Sequence, residues 1–295
     1  MNKSAFGIFQ TRLRTIVFAM AIMLSYYARA YAYYQPAEAT SGALVKGIVQ
    51  WEGVQPDIIE FQVNVDEVFC APSGKKYADL LMVNPNNRGV KDAIVYLVNI
   101  REGKSIDEFA KAAMEPIMLT GCDIKPSQKL FFAGGRLGFI TTDRAMHSVR
   151  VQGPGYFDET IQMPMRNIRQ YVRLNHTGNY SIRCNRHPWE NANVMVVEHP
   201  YYTFTDESGG FEFRNVPERA YYIVAWHRGI RVTPRIRLGL AYAYDFSEPF
   251  SVQQRVRAYG RLAENIRLVL SEPRMTITDQ KVGEPKKTQD KNKKK

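Results

Sequence analysis

The sequence has few cysteines, few long apolar runs and no motif for nucleic-acid recognition. Its 295 residues include three cysteines, and one apolar run, at 15–27, stands out from the rest. That run is shorter than the roughly 20 residues that a membrane-spanning helix needs, and no later stretch comes closer. We therefore expect no integral membrane segment in the mature chain. The formal net charge is +11, but without a recognition motif nucleic acid is not an expected partner.

The N-terminal segment lacks acidic residues, since the first one in the chain is Glu38. Basic residues precede the apolar run, and small residues follow it in the pattern Ala-x-Ala at 28–30 and 30–32. Three such parts in this order are typical of a secretory signal peptide, which we place at residues 1–32. The alternative is an uncleaved N-terminal anchor. The prediction is an exported protein, in the periplasm or an equivalent extracytoplasmic compartment.

The residue pattern of the remaining chain is typical of short strands. Brief apolar runs, the first at 43–49 and the last at 266–270, are separated by Gly, Pro and Asn turns, which predicts an all-β antiparallel sandwich. One short helix is predicted at 106–114, because Ser105 and Glu108 form a capping box at its head. We interpret this helix as a crossover between strands.

An odd number of cysteines in an exported chain is informative. Cys70 and Cys122 lie in similar polar, turn-like surroundings. If they pair, they close a loop of about 50 residues, which the chain-entropy account values at about 4 kcal/mol. Cys184 would then be a free thiol in an oxidising compartment, where an unoccupied thiol is a liability. We therefore expect Cys184 to bind something.

A candidate copper site surrounds that cysteine. Cys184 ends a predicted strand, His187 returns three residues later on a tight loop, and His147 stands at the mouth of an upstream strand. One thiolate and two imidazoles suit both Cu(I) and Cu(II). A structural zinc site is disfavoured because a second cysteine is missing. Cysteine-protease chemistry is disfavoured because no helix follows Cys184 to lower its pKa. No second histidine cluster is present, so we expect no enzymatic turnover.

Residues 137–197 resemble the ligand layout of the cupredoxins plastocyanin and azurin. More narrowly, residues 42–227 resemble a group of exported bacterial cupredoxin-like proteins that carry a carboxypeptidase regulatory-like, or transthyretin-like, segment. The resemblance implies a Greek-key sandwich, a Cys70–Cys122 disulfide and one copper ion. It rests on these pieces: Gly47-Ile48-Val49, Gly53, Cys70, Val95-Tyr96-Leu97, Gly121-Cys122, Cys184-Asn185-Arg186-His187-Pro188-Trp189, His199-Pro200-Tyr201-Tyr202, Thr205-Asp206, Gly210-Phe211, Val216-Pro217 and Trp226-His227.

The resemblance also suggests how the chain is divided. A cupredoxin-like domain with an N-terminal extension is predicted at 42–200. A carboxypeptidase regulatory-like segment with an arginine-rich extension follows at 201–271. The last part, 272–295, contains seven lysines and no aromatic residue from Lys281 onward, so we predict a disordered tail.

One position departs from the pattern of these relatives. They usually have Met where Glu190 stands, as the weak axial ligand of a type 1 copper site. A carboxylate is a harder ligand that favours Cu(II), so Glu190 should lower the reduction potential. The single copper site is therefore expected to be type 1-like or, since red-copper sites use a Glu oxygen, red-copper-like. Two alternatives stay open: Met195 as a substitute axial ligand, although core packing suits it better, and Glu190 as a solvent-facing residue.

Two functions follow from these observations. The first is electron transfer to or from a protein redox partner, with copper on His147, Cys184 and His187 and on Glu190 as a fourth ligand. The alternative is an assembly subunit of a larger exported redox complex, with a degenerate or empty copper site. Docking onto an acidic surface would use the lysine tail and the arginines between Arg228 and Arg267, although both read equally well as solvated surfaces. Copper storage is disfavoured, because no Met- or His-rich tract accompanies the site.

Overall fold

The computed structural model describes residues 34–37, 42–78, 80–107, 114–164, 168–236, 242–259 and 264–271. The predicted signal peptide, the predicted tail and most of the predicted helix at 106–114 lie outside these residues. In the described part, a short helix is found at Glu67–Cys70, in a segment whose sequence suggests a turn. No helix in these ranges is long and apolar enough to cross a membrane.

Strands dominate the described residues, as the sequence predicts. They are numbered in chain order, and the short helix is α1 (Glu67–Cys70). The strands are β1 (Gln35–Pro36), β2 (Ala43–Glu52), β3 (Ile59–Gln62), β4 (Lys75–Ala78), β5 (Ile94–Val98), β6 (Glu102–Gly103), β7 (Ile117–Leu119), β8 (Ile124–Lys125), β9 (Gln128–Phe132), β10 (Gly135–Thr141), β11 (His147–Gly153), β12 (Phe157–Met163), β13 (Arg169–Leu174), β14 (Gly178–Cys184), β15 (Asn191–Val197), β16 (Tyr202–Phe204), β17 (Gly210–Val216), β18 (Arg219–His227), β19 (Val232–Ile236), β20 (Tyr242–Phe246), β21 (Phe250–Ala258) and β22 (Glu264–Ser271).

The first sandwich is the cupredoxin-like part of the fold. One sheet has the order β13-β10-β7-β8 and the other the order β12-β11-β14-β15-β9. Alternate residues of each strand face inward, as Val149 and Val151 of β11 do, because side chains along a strand point to opposite faces. Two pairs, β7–β10 and β9–β15, are parallel, so the sheets are mixed where the sequence predicted antiparallel ones. The inward side chains of both sheets form one core.

A second sandwich combines both ends of the described chain. Its sheets have the orders β16-β5-β18-β21 and β17-β2-β22. Strands β2 and β5 were predicted to belong to an extension of the cupredoxin-like domain, and β16–β22 to a separate segment. In the structure β2 and β5 share sheets and a single apolar core with β16, β17, β18, β21 and β22, whereas β19 and β20 form a separate hairpin. The first sandwich is therefore flanked in sequence by two halves of the second.

The two sandwiches meet through an apolar cluster on their outer faces. Leu130, Met195 and Val197 come from β9 and β15, whereas Ile94 and Trp226 come from β5 and β18. Met195 is buried in this cluster. The interpretation of Met195 as a packing residue fits this position.

Two hairpins and α1 cover one end of the first sandwich. The hairpin of β3 and β4 contacts the hairpin of β19 and β20, where the rings of Phe61 and Tyr244 lie 4.8 Å apart, edge to face. Trp189 and the two cysteines Cys70 and Cys122 belong to the same apolar cluster. This cover encloses the end of the sandwich that carries the predicted ligands.

Acid should destabilise the fold through His227, which lies at the end of β18 and is 1% exposed. Burial lowers its pKa to about 4, although the hydrogen bond from the ring to the Arg228 carbonyl opposes this shift and the Arg228 charge adds to it. In the unfolded chain the pKa is about 6.5. The neutral ring therefore stabilises the fold above pH 6.5, and this stabilisation is lost as the pH falls towards 4.

Titration of His227 should contribute about 2 kcal/mol to the fall in unfolding free energy of the natural chain between pH 7 and pH 4.5. We expect His227→Gln to show a fall that is smaller by this amount, measured by urea denaturation at both pH values. The matched control is His176→Gln, since His176 is exposed and should leave the pH dependence unchanged. An equal pH dependence in His227→Gln and the natural chain would contradict the prediction.

Candidate metal centre

Adjacent strands place the first two candidate ligands. His147 is the first residue of β11, and Cys184 is the last residue of β14. These strands pair antiparallel with Val149 opposite Cys184, so His147 and Cys184 lie at the same end of the sheet. The rigid strand pair therefore fixes the separation of an imidazole and a thiol.

The loop between β14 and β15 supplies the other two candidates. Asn185 N–H donates to Ser148 O at 2.8 Å, and Glu190 N–H donates to His187 O at 3.0 Å. These bonds fold the loop back over the sheet. His187 and Glu190 consequently face Cys184 and His147.

Four donor atoms of three kinds converge in the interior. The His147 Nδ1, His187 Nδ1, Cys184 Sγ and a Glu190 carboxylate oxygen all lie within 4.8 Å of one another. The two Nδ1 atoms are 3.2 Å apart, and Cys184 Sγ is 3.6 Å from His187 Nδ1. Glu190 Oε1 is 3.0 Å from His147 Nδ1 and 3.2 Å from His187 Nδ1. The structure thus brings together all four residues that the sequence predicted as ligands.

Burial decides one alternative for Glu190. Its side chain is 1% exposed, so the interpretation of Glu190 as a solvent-facing residue is wrong. The loop hydrogen bond to His187 turns the carboxylate inward, where both imidazoles surround it.

The donor set fits a bound metal cation. Glu190 Oε1 is buried and lies 3.0 Å from His147 Nδ1 and 3.2 Å from His187 Nδ1, but neither contact has the geometry of a hydrogen bond. A cation beside this oxygen would satisfy it. The two imidazole Nδ1 atoms lie 3.2 Å apart, and two lone pairs at that distance also need a proton or a cation between them. A thiolate, two imidazoles and a carboxylate suit copper. Four protein donors also match the coordination number of structural zinc sites. The two histidines and one cysteine, without Glu190, would be one ligand short.

Opposite charges balance within the centre. Burial opposes charge on His147, but hydrogen bonds with Asp143, Cys184 and Glu190 outweigh it and raise the pKa of His147 to about 11. Burial likewise opposes charge on His187, while Cys184 and Glu190 raise its pKa to about 9. The same imidazoles lower the pKa of the Cys184 thiol and of the Glu190 carboxyl against the effect of burial. A cation therefore replaces protons that the anionic donors already attract.

Each imidazole is held from behind by an aspartate. Asp143 Oδ2 lies 3.1 Å from His147 Nε2, and Asp66 Oδ2 lies 3.1 Å from His187 Nε2. A ring whose Nε2–H donates to a carboxylate keeps its Nδ1 free for a metal. Sequence reasoning missed both aspartates. Asp143 could have been found from its position four residues before His147, whereas nothing local connects Asp66 with His187.

The disulfide Cys70–Cys122 links the two segments that lie next to these aspartates. Asp143 accepts hydrogen bonds from the Cys122 N–H at 2.8 Å and from the Gly121 N–H. Asp66 directly precedes α1, which contains Cys70, and Cys70 Sγ lies 3.7 Å from His187 Nε2. The bridge implied by the resemblance is therefore present and adjoins the centre.

Trp189 closes the remaining side of the centre. Its ring lies 5.3 Å from that of His187, and its Nε1–H donates to Cys122 O at 2.9 Å. The side chain is buried in the cluster that contains the disulfide. Trp189 therefore packs directly against His187, which is itself fully buried.

The arginine-rich stretch does not form one exposed face. Arg255 and Arg257 alternate along β21 and are exposed. Arg228 is instead buried, and so is Tyr244 of β20. Tyr244 packs on Phe61 because its strand closes the cover over the metal centre. Arg237 and Arg261 lie outside the described residues.

No protein-family model and no curated protein matches the chain. Similar solved structures include a Cu-containing nitrite reductase from Thermus scotoductus SA-01, at 20% identity and a TM-score of 0.26, over 29% of this chain and 23% of that one. A purple cupredoxin from Nitrosopumilus maritimus is 18% identical over 28% of this chain and 98% of that one, with a TM-score of 0.24. A reduced mutant of amicyanin is 15% identical over 35% of this chain and 98% of that one, with a TM-score of 0.27.

These similarities are confined to part of the chain. They cover about a third of it, and the chain spans less than a quarter of the nitrite reductase. At TM-scores this low the similarities do not indicate which chemistry the chain performs. The cupredoxin-like β-sandwich is evident from the strand order of the first sandwich itself.

Asp143→Asn should weaken metal binding by about 10- to 100-fold, because the neutral amide holds the His147 ring less firmly. It should also lower the pKa of His147 from about 11. Chelator competition measures the first effect, and NMR titration of the ring in metal-free protein measures the second.

The matched control for this variant is Asp158→Asn. Asp158 is an exposed residue of β12 that pairs with Arg150 far from the centre. Unchanged metal affinity in Asp143→Asn would show that Asp143 does not position His147.

Proposed function

We propose that this chain is an exported mononuclear copper protein that transfers single electrons, with His147, Cys184, His187 and Glu190 as the ligands. The observation that carries the proposal is the convergence of four buried donor atoms. One of them, Glu190 Oε1, accepts no hydrogen bond of good geometry. The predicted signal peptide supports export. The resemblance to exported bacterial cupredoxin-like proteins supports copper as the ion.

Bound copper would supply exchange between the Cu(I) and Cu(II) states at this centre. The chain's own contribution is a fixed set of donors. Adjacent strands hold His147 and Cys184, and aspartates hold the outer nitrogens of both rings. Because these side chains are buried and tied, they need move little when the charge of the ion changes. Small movement favours rapid electron transfer.

Burial of the ligands favours electron transfer over catalysis. Cys184 is 4% exposed, Glu190 is 1% exposed, and both histidines are fully buried. A substrate would have to displace one of these side chains to reach the ion, whereas an electron needs no open coordination position. We therefore propose a carrier without substrate turnover, which exchanges electrons with a protein partner.

Glu190 should set the reduction potential. A carboxylate oxygen is a hard ligand and stabilises Cu(II) relative to Cu(I). Its position between both imidazoles lets it contribute directly to the ion's surroundings. The proposed site therefore has a lower potential than one with a thioether in the same place, and belongs to the red-copper kind.

Metal content and visible and EPR spectra of the mature protein test the proposal first. We expect one copper per chain and a thiolate-to-copper absorption band that disappears in Cys184→Ala. Met195→Leu is the matched control and should keep the band, because Met195 packs between the sandwiches.

Three outcomes separate the candidate functions. A copper-dependent band supports the electron carrier. One zinc per chain without a band would make the centre structural. A centre that stays empty when copper is offered would overturn the proposal and favour the alternative, an assembly subunit.

Glu190→Met should raise the reduction potential, because a thioether stabilises Cu(I) relative to the carboxylate. A tenfold change in the preference between the two oxidation states corresponds to about 59 mV, and we expect at least that shift. Redox titration of the copper-loaded protein measures it. Glu198→Gln, at an exposed position after β15, is the control, and an unaltered potential in Glu190→Met would show that Glu190 is not a ligand.

A further inference from the structure

A cavity of about 240 Å³ lies beside the metal centre, under the hairpin of β3 and β4. Charged side chains from separate parts of the chain line it, together with Trp189. They are Lys76, Asp123, Lys125, Glu190 and Arg228. The cavity opens partly to solvent, since Lys125 is exposed, whereas Glu190 and Arg228 are buried. A charged side chain is seldom buried unless a group of opposite charge accompanies it.

Arg228 is the unusual member of this set. It follows β18 and is 7% exposed. Its Nη1 donates to Ser127 O at 3.4 Å, and in the described part of the chain it forms no ion pair. Burial lowers its pKa only to about 10, so the guanidinium is charged at neutral pH. A buried charge without a partner is strongly unfavourable, and an anion in the cavity would compensate it.

The other charges in the wall do not supply that compensation. Lys76 and Asp123 form an ion pair of 2.9 Å and neutralise each other. Glu190 faces His147 and His187 in the metal centre. Lys125 forms no ion pair with any described residue, so Lys125 and Arg228 leave the cavity with an excess of positive charge.

We propose that this cavity binds a small oxyanion, with Arg228 as its main donor and Lys125 as a second. A guanidinium presents a planar fork of N–H groups that matches the oxygens of a carboxylate or phosphate. A space of about 240 Å³ admits such an ion with a few water molecules, and is smaller than the usual site for a drug-sized ligand. The shared chemistry is one oxyanion group, from inorganic phosphate or from a small organic acid.

The test uses metal-free protein, since the site needs no copper and its failure would leave the proposed function untouched. Calorimetric titration and thermal unfolding are followed with sodium phosphate and with sodium acetate up to 10 mM, with chloride holding the ionic strength constant. We expect at least one of the two anions to bind and to raise the unfolding temperature. Arg228→Met should weaken that binding at least tenfold.

Two further readouts separate binding from a structural role of Arg228. Without added anion, Arg228→Met should be at least as stable as the natural chain, because it removes a buried unpaired charge. Arg255→Met is the matched control, since Arg255 is exposed on β21 and should change neither property. If Arg228→Met does not fold, Lys125→Gln, at an exposed position of β8, should bind the anion several-fold more weakly.

The outcomes are distinct. Binding of phosphate alone assigns the site to an inorganic oxyanion, and binding of acetate alone assigns it to an organic acid. The proposal is overturned if neither anion binds, or if binding is unchanged in Arg228→Met. It is also overturned if Lys125→Gln, used in its place, binds as tightly as the natural chain.

Discussion

The candidate metal centre depends on the two hydrogen bonds that aspartates accept from the outer nitrogens of its imidazoles. Asp143 holds His147 and Asp66 holds His187, and each bond turns the Nδ1 of its ring towards the interior. Without them the rings could rotate, and the thiol and the carboxylate would face no ordered partners. The disulfide adjoins both aspartates, so a covalent crosslink secures the orientation of both rings.

The remaining architecture encloses this arrangement. The first sandwich provides the strand pair that carries His147 and Cys184. Hairpins β3–β4 and β19–β20 cover the end of that sandwich, and Trp189 fills the gap between cover and centre. The second sandwich packs on the outer face of β9 and β15. Cover and support are thus built from parts of the chain that lie on either side of the first sandwich.

Local sequence patterns predicted the local parts of this structure. Short apolar runs separated by turn residues predicted the all-β class. The spacing of Cys184, His187 and Glu190 placed three donors on one loop, and the structure shows them converging with His147. Asp66 was not predictable in this way, because 121 residues separate it from His187. The burial of Arg228 and Tyr244 and the sharing of sheets between β2 and β22 also depend on distant contacts. Alternation and spacing carry no information about which distant segments meet.

The parallel pairing of β2 with β22 imposes an order on assembly. A ribosome delivers the chain from its N-terminus, so β2 exists long before either of its neighbours. It gains β17 only after the whole first sandwich has been made, and β22 at the end of the described chain. Until then the edges of β2 have unpaired backbone groups, and its apolar side chains Val45, Val49 and Trp51 have no core to pack in. An unpaired strand of this kind can pair wrongly while the chain is incomplete, a risk that is smaller in a sandwich assembled from consecutive hairpins.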